Sequence, residues 1–271
     1  MVLACVLVAG YVFVEAQQTR IQPARKLVTP SRPPVLYAAA GTGSAGRPDA
    51  ESANAESSNA ESSNGEAQAA SLPTPEESCD DLKVLVDRSH PLPRDYVPED
   101  LAPLWAYEIP TLGGGEMLLR REAAEHLRLL VEDAWADGEE LVVASAYRSY
   151  AHQRISHARL ASIYGSEAGT MSATPGHSQH QLGTAVDFTN AAAGYEVWQA
   201  FGGTSASAWL RKHASEHGFV LAYPSGKEAE TGYQWEPWHF RYVGVENAER
   251  LEESSLSLQE FLVREGVLPR C

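Results

Sequence analysis

Between Glu15 and Ser78 the sequence holds few large apolar side chains, and this limits how much of the chain can fold. The stretch is rich in Ser, Ala, Asn, Glu and Pro and includes a short repeat, AESANAESSNAESSNGE. Such a segment buries too little apolar surface to offset the entropy lost on ordering, so it reads as a solvated tether. Folding is thereby confined to residues 79–271, the length of one domain.

Ahead of the tether, MVLACVLVAGYVFV is almost wholly apolar, yet shorter than the ~20 residues a membrane-spanning helix needs. It has no basic flank, and Val14-Glu15-Ala16 offers compact residues where a signal peptidase would cut. Val2-Leu3-Ala4-Cys5 resembles a lipobox, but only four residues precede the cysteine, too few for such a signal. The expected organisation is a signal-like or membrane-anchor segment over 1–16, a low-complexity linker over 17–78 and one domain over 79–271. The setting it suggests is the extracytoplasmic cell envelope, with the chain secreted or associated with a membrane through its N-terminus.

Residues 79–271 carry 16 Lys and Arg against 28 Asp and Glu, an excess of 12 negative charges that argues against nucleic acid as a partner. Of the three cysteines, Cys79 opens the folded region and Cys271 ends it. In an oxidising compartment the two are expected to form a disulfide joining the domain's ends.

Apolar spacing from Glu116 to Trp135 predicts an amphipathic helix with Gly138 as its stop. The β-branched run at 141–145 predicts a strand, and Ser149 is a candidate N-cap for a helix running to Gly165. Further strands are expected at 185–188, 219–223 and 238–243, and helices over Ser205–His217, Glu246–Glu253 and Leu256–Glu265. Interspersed helices and short strands point to an α+β fold, a small, mainly antiparallel sheet with helices packed around it.

Three positions suggest a metal. His180 and Asp187 stand seven residues apart in PGHSQHQLGTAVDF, and His239 follows in EPWHFRY. Two imidazoles and a carboxylate are a donor set that catalytic zinc uses while keeping a position open for water. Gly183 allows a turn that would bring His180 back beside Asp187. Glu236, three residues before His239, is placed to move protons next to a metal, and Pro237 and Trp238 restrict the backbone between them. His126, His152, His157, His213 and His217 lie in helical stretches and read as surface or packing residues. His177 is left outside the ligand set. Arg148, at the exit of the 141–145 strand, could meet a substrate carboxylate or a developing oxyanion.

Ser178-x-His180-x-x-Gly183-x-Ala185-x-Asp187 followed by Glu236-x-x-His239 resembles the zinc D-alanyl-D-alanine carboxypeptidases of the VanY type. The resemblance extends to Tyr147-Arg148-Ser149 with Gln153, to LVDRSHPLPRDYVPEDL at 85–101 and to TGYQWEPWHFRYVG at 231–244. It implies one Zn2+ held by His180, Asp187 and His239, with Glu236 as catalytic base and Arg148 stabilising the oxyanion or binding substrate. Ser178 and Gln153 would help seat the substrate terminus. The implied substrates are peptidoglycan stem peptides, which would lose a C-terminal D-alanine. The same zinc shell would also serve an L,D-carboxypeptidase or a wall endopeptidase, and a non-catalytic peptidoglycan-binding module is the alternative from another class. Retention of Glu236 disfavours the last, because binding needs the ligands but not the base.

Overall fold

The computed structural model describes residues 79–113 and 115–269. The expected segments 1–16 and 17–78, and Cys271, lie outside the described residues. Two short strands, β1 (Leu101–Pro103) and β2 (Leu118–Arg120), pair antiparallel and lead into helix α1 (Arg121–Ala136). Then come β3 (Val142–Ser145), α2 (Tyr150–Tyr164), the single turn α3 (Ala168–Met171), β4 (Ala185–Thr189) and α4 (Ser205–His213). The chain continues through β5 (Phe219–Leu221), the short α5 (Glu228–Thr231), β6 (His239–Tyr242), α6 (Val245–Ser254) and α7 (Leu258–Glu265). The main sheet is fully antiparallel in the order β3-β4-β6-β5, as expected of an α+β fold.

Successive side chains of a strand point to opposite faces, and here the two faces differ in chemistry. Val186 and Phe188 of β4, with Phe240 and Tyr242 of β6, join a core that includes Leu127 and Leu130 of α1 and Leu210 of α4. Asp187, His239 and Arg241 take the alternate positions and belong to the other face. A second apolar cluster gathers Val220, Tyr223, Tyr233 and Val243 with Leu251 of α6 and Leu258, Phe261 and Leu262 of α7. Arg241 is fully buried and donates to the carbonyls of Leu82 and Val84, which ties the first described segment to the sheet. That segment also meets the C-terminal end of the domain, where Leu85 N donates to Val267 O at 2.8 Å and Val267 N to Lys83 O at 3.0 Å. Cys79 is disulfide-bonded.

Most expected boundaries hold within a residue or two, and the physical signals are visible. Ser149 caps α2 by accepting from His152 N, and Ser257 with Glu260 forms a reciprocal capping box at α7. The helix expected from Glu116 instead begins at Arg121. Residues 118–120 have the right apolar spacing for a helix, but their backbone pairs with β1, and Arg120 N donates to Gly183 O at 2.7 Å. Tertiary pairing overrides local periodicity there.

The turn from the end of α4 into β5 depends on Gly218, at φ +80°, where an added Cβ would lie 2.6 Å from the Tyr242 ring and 2.9 Å from Val245 N. A left-handed penalty of ~1–2 kcal/mol and an overpacking cost of ~1–3 kcal/mol combine at this position. Gly218→Ala is therefore expected to lower the denaturant midpoint of the domain clearly. An unchanged midpoint would show that the turn relaxes freely.

Candidate metal centre and active-site cleft

Antiparallel register assembles half of the site. Ser145, Asp187 and His239 are direct cross-strand partners on β3, β4 and β6, so their side chains emerge side by side on one face. His180 arrives from a 3-10 turn, Gln179–Leu182, that ends at Gly183 with φ +69°. A side chain at Gly183 would also approach Leu101 Cδ2 to 2.9 Å, so both backbone conformation and space call for glycine. Arg148 N donates to His180 O at 3.1 Å, which fixes the turn against the β3–α2 connection.

The result is a buried group of three. His180 Nε2 lies 3.1 Å from Asp187 Oδ2, and His239 Nδ1 lies 2.9 Å from Asp187 Oδ1. The partners of the remaining ring nitrogens settle the tautomers. Nδ1 of His180 donates to the Ala146 carbonyl at 2.7 Å, and Nε2 of His239 donates to Gln179 Oε1 at 3.2 Å. Nε2 of His180 and Nδ1 of His239 are thus the ring nitrogens that face the carboxylate. Lone pairs and a carboxylate at such spacings repel unless protons or a cation lie between them. The one ligand atom that each residue offers lies within 4.8 Å of the other two. A tetrahedral ion with bonds of ~2.0–2.1 Å sets its ligands about 3.3 Å apart, so small adjustments accommodate zinc. Burial lowers the His180 pKa, which favours the neutral, ligating form. At Asp187 burial works against ionisation, but the contacts with the two imidazoles, His180 foremost, hold the pKa low.

These residues sit in a cleft of about 400 Å³ that also receives Arg148, Gln153, Ser178 and Glu236. Glu236 is outside the ligand group. Its backbone N donates to Tyr223 O, and its carbonyl accepts from His239 N, each at 3.1 Å, so the Glu-Pro-Trp-His turn rigidly links it to a metal-site residue. Burial raises the Glu236 pKa well above the usual carboxylate range; the Asp187 charge adds to this and Arg148 opposes it. Arg148 donates through Nη1 to Gln153 Oε1 at 3.0 Å and through Nη2 to Ser145 Oγ at 2.7 Å, and Nη2 stands 3.7 Å from Asp187 Oδ2.

His177 is held elsewhere, with Nδ1 donating to the Asp87 carbonyl at 2.7 Å. None of the five histidines assigned to helical stretches lines the cleft. Sequence reasoning passed over Ser145, Tyr223 and Trp198. Tyr223 stacks on His239 with ring centroids 5.0 Å apart, and Trp198 stacks on Trp238 at 6.4 Å. The only sequence signal for Ser145 was its place at the end of a strand, three residues before Arg148. Tyr223 and Trp198 had none, because only folding brings them to the cleft.

Residues 116–245 match the family model described as VanY: D-alanyl-D-alanine carboxypeptidase. Among relatives in sequence, a putative carboxypeptidase, YodJ, of Bacillus subtilis is 34% identical over 189 residues, covering 67% of each chain. A D-alanyl-D-alanine carboxypeptidase of Enterococcus faecalis is 31% identical over 246 residues, covering 84% of this chain and 77% of that protein. Among solved structures, the LD-carboxypeptidase LdcB superposes with a TM-score of 0.63 at 34% identity, covering 68% of this chain and 87% of its own. A vancomycin-resistance D,D-pentapeptidase VanY, a point mutant in complex with Zn(II), gives a TM-score of 0.55 at 31% identity, covering 66% and 98%. Sequence, fold and the buried His-Asp-His group agree: the chain belongs to the VanY family of D-alanyl-D-alanine carboxypeptidases.

Proposed function

We propose that the chain is a zinc D,D-carboxypeptidase that hydrolyses the terminal D-alanyl-D-alanine bond of peptidoglycan stem pentapeptides outside the cytoplasm. The observation that carries this reading is the buried group of His180, Asp187 and His239 sharing one cleft with Glu236 and Arg148. His180, Asp187 and His239 would hold the ion, which when bound supplies Lewis-acid polarisation of the scissile carbonyl and acidifies water. Glu236 takes the proton of the attacking water and returns it to the leaving amine. Arg148, fixed by Ser145 and Gln153, offsets the negative charge that develops on the carbonyl oxygen. Ser178 lines the same cleft and is proposed to seat the substrate terminus. No covalent intermediate is required of Ser or Cys.

One wall of the cleft is α2, whose Gln153, Ser156, Leu160 and Tyr164 recur every three or four residues along it, and Trp198 also lines the cleft. The four residues span about 16 Å of helix axis, enough for an extended peptide of roughly five residues. A disulfide at Cys79 supports an oxidising, extracytoplasmic location, and the apolar residues 1–14 support attachment to or passage through a membrane. The similarity to LdcB favours a second reading, L,D hydrolysis of a tetrapeptide by the same residues.

Mass spectrometry of a stem pentapeptide and the matching tetrapeptide after incubation with the zinc-loaded protein separates these readings. Loss of one alanine from the pentapeptide alone is expected, and Glu236→Ala should be inert while retaining zinc. Trimming of the tetrapeptide alone would replace D,D by L,D specificity. Inertness of the parent protein toward both would refute the reading. Trp198→Ala should raise KM roughly fivefold with kcat nearly constant, since it removes an aromatic wall worth about 1 kcal/mol. Because ligation requires neutral imidazole and burial lowers the His180 pKa, zinc should stay bound down to pH values below 6.5, the ordinary imidazole value, and be released on further acidification. Metal content measured after dialysis across that range checks it; release well above pH 6.5 would contradict the burial argument.

A further inference from the structure

We infer that Gln153 is a positioning residue: together with Ser145 it clamps the Arg148 guanidinium, and it does not touch the substrate. The inference rests on the role proposed for Arg148. Gln153 lines the cleft but is almost wholly buried, and its amide is already engaged by the protein. Nε2 donates to Ser172 Oγ at 3.1 Å and to the Ala173 carbonyl at 2.6 Å, which uses both of its hydrogens. Oε1 accepts from Arg148 Nη1 at 3.0 Å. From the other side Ser145 Oγ accepts from Arg148 Nη2 at 2.7 Å, and Ser145 is the cross-strand partner of Asp187. The clamp thus references the guanidinium to two fixed frames. One is the sheet position that carries a metal-site residue; the other is the 172–173 segment pinned to α2, where His157 Nδ1 also bonds the Ser172 carbonyl at 3.1 Å. A guanidinium so held keeps its remaining N–H groups for the reacting oxygen and loses little freedom in meeting it.

A double-mutant cycle tests this, with kcat and KM measured for Gln153→Ala, Arg148→Ala and the pair, alongside zinc content and thermal midpoint. Gln153→Ala is expected to lower kcat roughly 10-fold or more, with zinc content intact and KM little changed. In the Arg148→Ala background the same change should cost less than about threefold. Losses that multiply would mean that Gln153 meets the substrate itself, and parental kcat in Gln153→Ala would mean that the clamp does not matter; either overturns the inference. If Gln153→Ala loses zinc or its thermal midpoint collapses, Ser145→Ala replaces it in the cycle, with the same coupling expected and multiplying losses again decisive against the clamp. Parental turnover in Arg148→Ala would remove the role given to Arg148 and the clamp with it, whereas multiplying losses refute the clamp alone.

Discussion

The antiparallel register of β3, β4 and β6 is the constraint on which the site depends. It sets Ser145, Asp187 and His239 in one row across the sheet, and the two-residue period of a strand fixes the face on which they emerge. A slip of one residue in β4 would exchange Asp187 for Val186 or Phe188 and send the carboxylate into the apolar core. Phe188, Phe240 and Tyr242, buried against α1 and α4, therefore hold the metal site in register from the opposite face.

That arrangement places costly groups in a poorly solvated setting. Asp187, His180, His239 and Glu236 are all buried, and burial by itself disfavours an ionised carboxylate. Asp187 overcomes it through contacts to both imidazoles, whereas Glu236, without an equivalent partner, has its pKa pushed up. Two carboxylates in one cleft thus acquire opposite tendencies, one to hold charge and the other to hold a proton.

How much of this was legible in the sequence differed from residue to residue. The chemistry-bearing positions were readable because donor type and spacing are local: His180 and Asp187 flank a turn glycine, and Glu236 and His239 flank a stiff Pro-Trp pair. Helix ends were readable where a cap was written in the sequence, as at Ser149 and Ser257. The start of α1 was misjudged because the backbone of 118–120 is claimed by β1, a partner some seventeen residues upstream in sequence. Gln153 was expected to help seat the substrate terminus, and its clamp on Arg148 could not be foreseen, since Ser172 and Ala173 reach it only through the fold of α2 and α3.

By itself, then, the sequence singled out which residues could ligate a metal and which carboxylate could serve as base, because these follow from side-chain chemistry and short-range spacing. Only the tertiary structure decided which imidazole nitrogen faces the site, how Arg148 is held and which aromatic rings wall the cleft. Tautomer, clamp and wall all depend on groups distant in sequence, from the Ala146 carbonyl behind His180 to Trp198 in the cleft wall, whose positions are fixed only when the sheet pairs and the helices pack on it.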